Sequence, residues 1–237
     1  MKGGFFMSIK KILRNPINFA FVLIISTLYV VFIIIDIFFY ARSLPANYLK
    51  FASIVLCFLL SVNLCRTSGN KSDSRYVVGA LVFTMLADIF LLFNLSHYAG
   101  VLSFFVVQLI YQKRHNTSFF IFGMIVAILT VPATLWLPFE RLHVAAGAYA
   151  ILILTTFVST FWTKLPRFNR VCVRLGMIFF ILCDIHVALY NQLPWGSSYY
   201  EVSAVAIWIF YLPSQLLLAI SAFHPQQIDK NHRNNTI

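Results

Sequence analysis

Residues 76–95 read YVVGALVFTMLADIFLLFNL and contain one charged side chain, that of Asp88. About 20 apolar residues are enough to cross the roughly 30 Å of hydrocarbon in a bilayer as a single helix. The whole chain has 237 residues, of which 60% are hydrophobic and 11% are charged, whereas a soluble domain carries about 25% charged residues. The sequence therefore predicts an all-α polytopic membrane protein, with the lipid bilayer around a single domain that covers residues 1–237.

Seven further apolar stretches appear when the chain is divided at its charged and turn-rich breaks. The eight predicted transmembrane helices cover residues 19–40, 48–64, 76–95, 98–111, 119–137, 143–163, 171–190 and 202–223. The fourth is short for a membrane span. Residues 1–18 and 224–237 are left as an N-terminal segment and a C-terminal tail.

The basic residues alternate between the two sides of this arrangement. Three of the 18, Arg42, Lys50 and Arg141, fall on one side. The other 15 are Lys2, Lys10, Lys11, Arg14, Arg66, Lys71, Arg75, Lys113, Arg114, Lys164, Arg167, Arg170, Arg174, Lys230 and Arg233. Because cytoplasmic loops hold the excess of Lys and Arg, we expect both termini in the cytoplasm and the protein in a bacterial inner membrane. Membrane topology explains the positive charge, so no nucleic-acid partner is predicted.

Three aspartates lie inside the apolar stretches, all in the half of the bilayer away from the basic side: Asp36, Asp88 and Asp184. A charge near the bilayer centre costs at least about 2.5–3.5 kcal/mol, so such residues usually face a polar cavity and serve catalysis, proton relay or transport. Asp36 and Asn191 are predicted to line this cavity, and Asp36 is also a possible partner for Lys50. Alternatively, polar side chains in these helices hydrogen-bond one helix to the next.

Two segments repeat one pattern, Phe-x-x-Leu-small-Asp-Ile, at residues 83–89 and 179–185. The helix after each segment carries an aromatic residue four positions before a glutamine, Phe104 with Gln108 and Tyr211 with Gln215. The copies lie four predicted helices apart, so both copies point the same way. The pattern suggests a four-plus-four internal repeat with parallel halves, and one Asp and one Gln from each half around a shared site.

These segments resemble the YhhN family of multi-pass membrane proteins, whose characterised members are lysoplasmalogenases. The resemblance rests on Lys50 in YLKFAS, Asp88 in LADIFLL, Gln108 with Tyr111, Asp184 in LCDIHVAL, and Tyr211 with Gln215 in YLPSQ. The chain departs from the family pattern at four places. The usual Lys-Pro reads Lys50-Phe51, Gly-Asp reads Ala87-Asp88, Ser-Asp reads Cys183-Asp184, and a usual His stands as Gln108.

The resemblance implies hydrolysis of the vinyl-ether bond of a lysoplasmalogen, a lysophospholipid, to a fatty aldehyde and glycerophosphoethanolamine or glycerophosphocholine. That chemistry needs a proton donor and a base, and two neighbouring carboxyls that share one proton supply both. We assign these roles to Asp88 and Asp184. Substrate contacts are predicted for Lys50, Gln108, Tyr111, Tyr211 and Gln215, and Lys50 would meet a phosphate or pair with an intramembrane aspartate.

No motif for a nucleotide, a dinucleotide or a zinc ion is present in the sequence, so we predict no cofactor and no metal site. A function of a different class remains open on the same residues. In that alternative the protein is a proton- or ion-coupled transporter, or a lipid-binding membrane protein, that uses the intramembrane aspartates.

Overall fold

The computed structural model of the protein describes residues 3–39, 44–136 and 140–224, and every regular element in these ranges is an α-helix. The helices are α1 (Gly3–Leu13), α2 (Pro16–Phe39), α3 (Leu44–Thr67), α4 (Lys71–Leu92), α5 (His97–His115), α6 (Thr117–Trp136), α7 (Arg141–Ser159), α8 (Arg167–Gln192) and α9 (Ser198–Ile220). By length and composition, α2 to α4 and α6 to α9 can cross a membrane. The prediction of an all-α polytopic membrane protein is confirmed.

The short fourth predicted helix is α5, which the structure extends from 98–111 to His97–His115. It is not among the seven apolar spans. Arg114 at its end binds Asp73 in the first turn of α4, at a nitrogen–oxygen distance of 2.8 Å, so α5 runs back along the whole of α4. It packs against α4, α6 and α7 and buries Gln108, Gln112 and Arg114. Each of the eight predicted segments therefore coincides with a helix of the structure, and α5 is largely buried among its neighbours.

Within the predicted N-terminal segment, residues 3–13 form the helix α1. The ring of Phe5 packs 5.3 Å from that of Phe168 at the start of α8. Phe6 and Met7 remain 73% and 71% exposed, and Lys10 and Lys11 lie in the last turn. An apolar surface beside a basic turn is typical of a helix that lies in the membrane interface.

Several predictions fall on other parts of the chain. The predicted helix ends at Tyr40 and Leu137 lie outside the described residues, as does the tail after His224. The same holds for four basic residues: Lys2, Arg42, Lys230 and Arg233.

The loops α3–α4, α5–α6 and α7–α8 meet the end of α9 at one end of the bundle, which we call the basic end. The backbone N–H of Gly69 donates to the His224 carbonyl at 3.0 Å. The Ser74 hydroxyl donates to the Ala222 carbonyl at 2.6 Å, and the Asn169 amide donates to the Ser221 carbonyl at 2.7 Å. These contacts bring together loops whose Lys and Arg residues the sequence analysis placed on the same side of the membrane.

Helix contacts follow the same order in the two halves of the chain. Neighbours pack in sequence from α2 to α5 and again from α6 to α9. Across the halves, α5 contacts α6 and α7, just as α9 contacts α2 and α3. Both α4 and α8 start at the basic end, as their bonds to residues 221–222 show. The arrangement supports the parallel four-plus-four repeat, with α5 and α9 as the two inner helices.

Close packing between α8 and α9 fixes the depth of α9. A Cβ atom on Gly176 would lie 2.9 Å from Cγ of Leu218, so any larger residue would force the Leu218 side chain to shift. One turn away, the Ser214 hydroxyl donates to the Gly176 carbonyl at 2.8 Å. Since Tyr211 is one turn further along α9, these contacts determine the level at which its side chain enters the bundle.

Candidate active site

Asp88 lies in α4 and is 4% exposed. The hydroxyl of Tyr211 from α9 lies 2.8 and 2.9 Å from its two carboxyl oxygens. The Tyr211 ring is itself 4% exposed. The carboxyl is therefore held from the opposite half of the chain by a buried hydrogen-bond donor.

Asp184 lies in α8 and is half-buried. The Tyr149 hydroxyl from α7 donates to its Oδ2 atom at 2.8 Å. Tyr149 was missed by the sequence analysis, although it is the first polar side chain after His143 in a helix that is otherwise apolar up to Thr155. Each of the two aspartates thus has a tyrosine hydroxyl as its partner.

The two Asp–Tyr pairs meet around Phe104 of α5 and Cys183 of α8. The Phe104 ring centroid lies 6.1 Å from that of Tyr149 and 6.4 Å from that of Tyr211. The Cys183 thiol is close enough to both carboxyls to interact electrostatically with each of them. We call Asp88, Tyr211, Asp184, Tyr149, Cys183 and Phe104 the aspartate cluster. The structure brings the two predicted catalytic residues into this one group.

Two buried glutamines lie near the cluster. Gln108 lies next to the Tyr149 hydroxyl, and Gln215 lies one turn beyond Tyr211 on α9. Both are fully buried. Within the described part of the chain, neither amide atom of Gln215 has a hydrogen-bond partner. An unsatisfied buried polar group costs about 1–3 kcal/mol. A ligand that enters beside Tyr211 and hydrogen-bonds to Gln215 would therefore bind with a favourable contribution from this group.

Lys50 of α3 forms an ion pair with Asp36 of α2, with 2.8 Å between Nζ and Oδ2. Its Nζ also lies 5.1 Å from the ring centroid of Trp208, which packs edge-on against Tyr211 at 5.2 Å. Lys50 is only 1% exposed. Of its two predicted roles, the structure shows the pairing with an intramembrane aspartate. The pair therefore supports the aspartate cluster through Trp208.

Two predicted site residues lie elsewhere. Tyr111 is buried, but its ring stacks on His115 at 6.1 Å between centroids and points toward the basic end. Asn191 is exposed, and its amide donates at 2.8 Å to the Val187 carbonyl of its own helix. The prediction that Asn191 lines the cavity is wrong, because the preceding turn of α8 satisfies its polar group.

The sequence model of the YhhN family matches residues 45–222. No curated protein and no solved structure matches the chain. The matched segment begins at the start of α3, includes every residue of the aspartate cluster, and leaves out α1, α2 and Asp36. Because this segment covers well over half of the chain, the protein belongs to the YhhN family and is one of its integral membrane members.

Proposed function

We propose that the protein is a membrane-embedded hydrolase that cleaves the vinyl-ether bond of a lysoplasmalogen. The products are a fatty aldehyde and a glycerophospho-alcohol such as glycerophosphoethanolamine or glycerophosphocholine. The observation that carries the proposal is the aspartate cluster, in which two carboxyls belong to one group of neighbouring side chains inside an apolar helix bundle. Membership of the YhhN family, whose resemblance implies this activity, supports it.

The reaction begins with protonation of the vinyl carbon β to the ether oxygen by the carboxylic acid of one aspartate. The electron pair of the double bond forms the new C–H bond, and the α carbon becomes an oxocarbenium centre. The second carboxylate stabilises this cation, as one carboxylate does in glycosidases. Water then adds to the α carbon and gives its proton to a carboxylate. The hemiacetal loses its hydroxyl proton to a carboxylate, and its C–O bond to glycerol breaks as that oxygen is protonated.

The surroundings of Asp184 suit a substrate that arrives from the lipid. Asp184 and Tyr149 are both half-buried at the seam between α7 and α8, whereas Asp88 is deeper. Large apolar side chains on the two helices, Leu154 and Ile185 among them, are about half exposed. A lysolipid chain lying along these side chains would bring its vinyl ether to Asp184 first. With the basic end placed in the cytoplasm, the cluster lies in the outer half of the membrane.

The purified full-length protein in neutral detergent is expected to release a fatty aldehyde from lysoplasmalogen. The matched control substrate is the lysophospholipid with a saturated alkyl ether, which lacks the double bond that accepts the proton. Coupled aldehyde reduction and mass spectrometry of the head-group product provide the measurement. Absence of aldehyde, together with proton-coupled flux in liposomes, would favour the transporter alternative over the hydrolase.

Replacement of either tyrosine by phenylalanine, Tyr149→Phe or Tyr211→Phe, removes the hydrogen bond to one carboxyl. A hydrogen bond to a charged group contributes about 1.5–3 kcal/mol, so we expect kcat to fall by about 10- to 100-fold. Steady-state kinetics on lysoplasmalogen measure the effect. Tyr199→Phe, at a side chain that is 76% exposed, is the matched control. Equal rates for all three variants would show that the two hydroxyls do not serve the reaction.

A further inference from the structure

A cavity of 1140 Å³ opens at the basic end, among the loops α3–α4, α5–α6 and α7–α8. Its lining includes Asp73, Lys113, Arg114, His115, Trp162 and Lys164. Asp73 precedes Asp88 on α4 by 15 positions, which is about 22 Å along the helix axis. The cavity and the aspartate cluster thus lie at different depths of the bundle. The proposed hydrolysis does not involve the cavity.

The charge of the lining is positive. Asp73 is the one carboxylate among the described lining residues, and its charge is already compensated. Nε and Nη2 of Arg114 lie 2.8–3.1 Å from its two oxygens, and Nε2 of His224 lies 2.7 Å from Oδ2. Lys113 and Lys164 take part in none of the ion pairs found in the described ranges. Lys113 Nζ lies 5.0 Å from the ring centroid of Phe120, and both lysines are exposed, so their ammonium groups are free to turn toward an anion.

Backbone dipoles add to the positive electrostatic potential of the cavity. Helices α4, α6 and α8 begin at Lys71, Thr117 and Arg167, and residues at or next to all three starts line the cavity. A helix N-terminus carries about half a positive charge and unsatisfied N–H groups, and it is a common site for phosphate. Here residues at three such termini line one volume, and the Asn70 and Asn116 side chains accept one free N–H group each at the starts of α4 and α6.

One buried polar group in the lining lacks a partner. His115 is 6% exposed, and its Nδ1 atom shares a hydrogen bond with the Ser159 hydroxyl at 3.0 Å. Within the described residues its Nε2 atom has no hydrogen-bond partner. The atom is itself covered, so a ligand oxygen would satisfy it once the His115 ring turned toward the cavity.

The size and rim of the cavity indicate an organic ligand rather than a bare ion. Its volume lies just above the roughly 300–1,000 Å³ of typical small-molecule sites, so it has room for an organic ligand. Trp162 is 60% exposed at the rim, and its ring lies 5.7 Å from that of Phe119. An aromatic side chain at the water–membrane boundary packs well against the apolar part of an amphipathic ligand.

We propose that this cavity binds a phosphate ester, with the phosphate held by Lys113, Lys164 and the three helix N-termini and the organic part against Trp162. The ester is either a soluble organic phosphate or the head group of an anionic lipid. Binding at this end is independent of hydrolysis at the aspartate cluster.

The test compares two double variants of the full-length protein that lose the same charge. Lys113→Gln with Lys164→Gln changes the cavity, and Lys10→Gln with Lys11→Gln removes two exposed lysines of α1 that do not line it. Isothermal titration with glycerol 3-phosphate in neutral detergent measures the soluble source. For the lipid source, quenching of Trp162 fluorescence is measured in phosphatidylcholine vesicles that contain brominated phosphatidylglycerol or brominated phosphatidylcholine, with Trp162→Phe as the blank.

A soluble ligand predicts that the cavity variant binds glycerol 3-phosphate about tenfold more weakly than the control variant does. A lipid ligand predicts stronger quenching by brominated phosphatidylglycerol than by brominated phosphatidylcholine, and loss of that excess only in the cavity variant. If neither measurement separates the cavity variant from its charge-matched control, the proposal is overturned. Neither readout depends on turnover, so failure here leaves the proposed hydrolase activity untouched.

Discussion

Asp88→Asn and Asp184→Asn are each expected to lower lysoplasmalogen hydrolysis by about 10²- to 10⁴-fold, the usual contribution of a general acid or base. Asparagine has the size of aspartate and keeps one oxygen that accepts the hydrogen bond of Tyr211 or Tyr149. The variants should therefore fold, while the exchangeable proton is lost. Because the two carboxyls act on one substrate in sequence, the double variant should be little slower than the worse single variant.

The measurement is kcat for aldehyde release by each purified variant, with size-exclusion profiles and thermal unfolding as checks on the fold. Glu140→Gln is the matched control, since it makes the same carboxyl-to-amide change at a side chain that is 80% exposed. Turnover at the normal rate by both aspartate variants would contradict the assignment of Asp88 and Asp184 as the acid–base pair.

Lys50→Met is expected to destabilise the protein by about 3–5 kcal/mol, because it leaves the buried carboxylate of Asp36 without its partner. The side chains of this pair are 1% and 0% exposed, so water does not replace the lost ammonium. The double variant Lys50→Met with Asp36→Val removes both charges and puts apolar side chains of roughly similar size in their place. It should recover most of the lost stability.

Thermal unfolding in detergent compares the single variant, the double variant and Lys10→Met, which makes the same change at an exposed lysine. The ion pair would have no such role if the single and double variants lost the same stability. Kinetics on the double variant separate two roles for Lys50. A stable protein with unchanged KM identifies a structural pair, whereas a stable protein with a raised KM identifies a contact to the substrate phosphate.

The parts of the molecule that the sequence predicted correctly depend on local properties. Length and apolar content mark a membrane helix within its own residues, and the cost of a charge in lipid marks Asp88 and Asp184 one at a time. Their meeting in one cluster was predicted because the repeat placed them at one depth on parallel helices. The ion pair of Lys50 with Asp36 was predicted as one of two roles for the same reason, a shared depth.

The missed and mistaken residues depend on contacts between distant helices. Tyr149 reaches Asp184 because α7 lies beside α8, and nothing near Tyr149 in the sequence indicates that neighbour. Helical spacing placed Asn191 on the face of Asp184, but spacing does not show what covers a face, and the last turn of α8 is open. Tyr111 shares a helix with Gln108, yet its ring belongs to the packing around His115.

The inner position of α5 has a consequence for how the protein enters the membrane during synthesis. Its sequence carries Gln108, Gln112, Lys113 and Arg114, so this segment alone has a weak tendency to partition from the translocation channel into lipid. It follows α4 after a four-residue turn and runs back along it. We expect the two segments to insert together as a helical hairpin, with α5 stabilised by its partners. In this protein, insertion of one segment is thus already a step of tertiary folding.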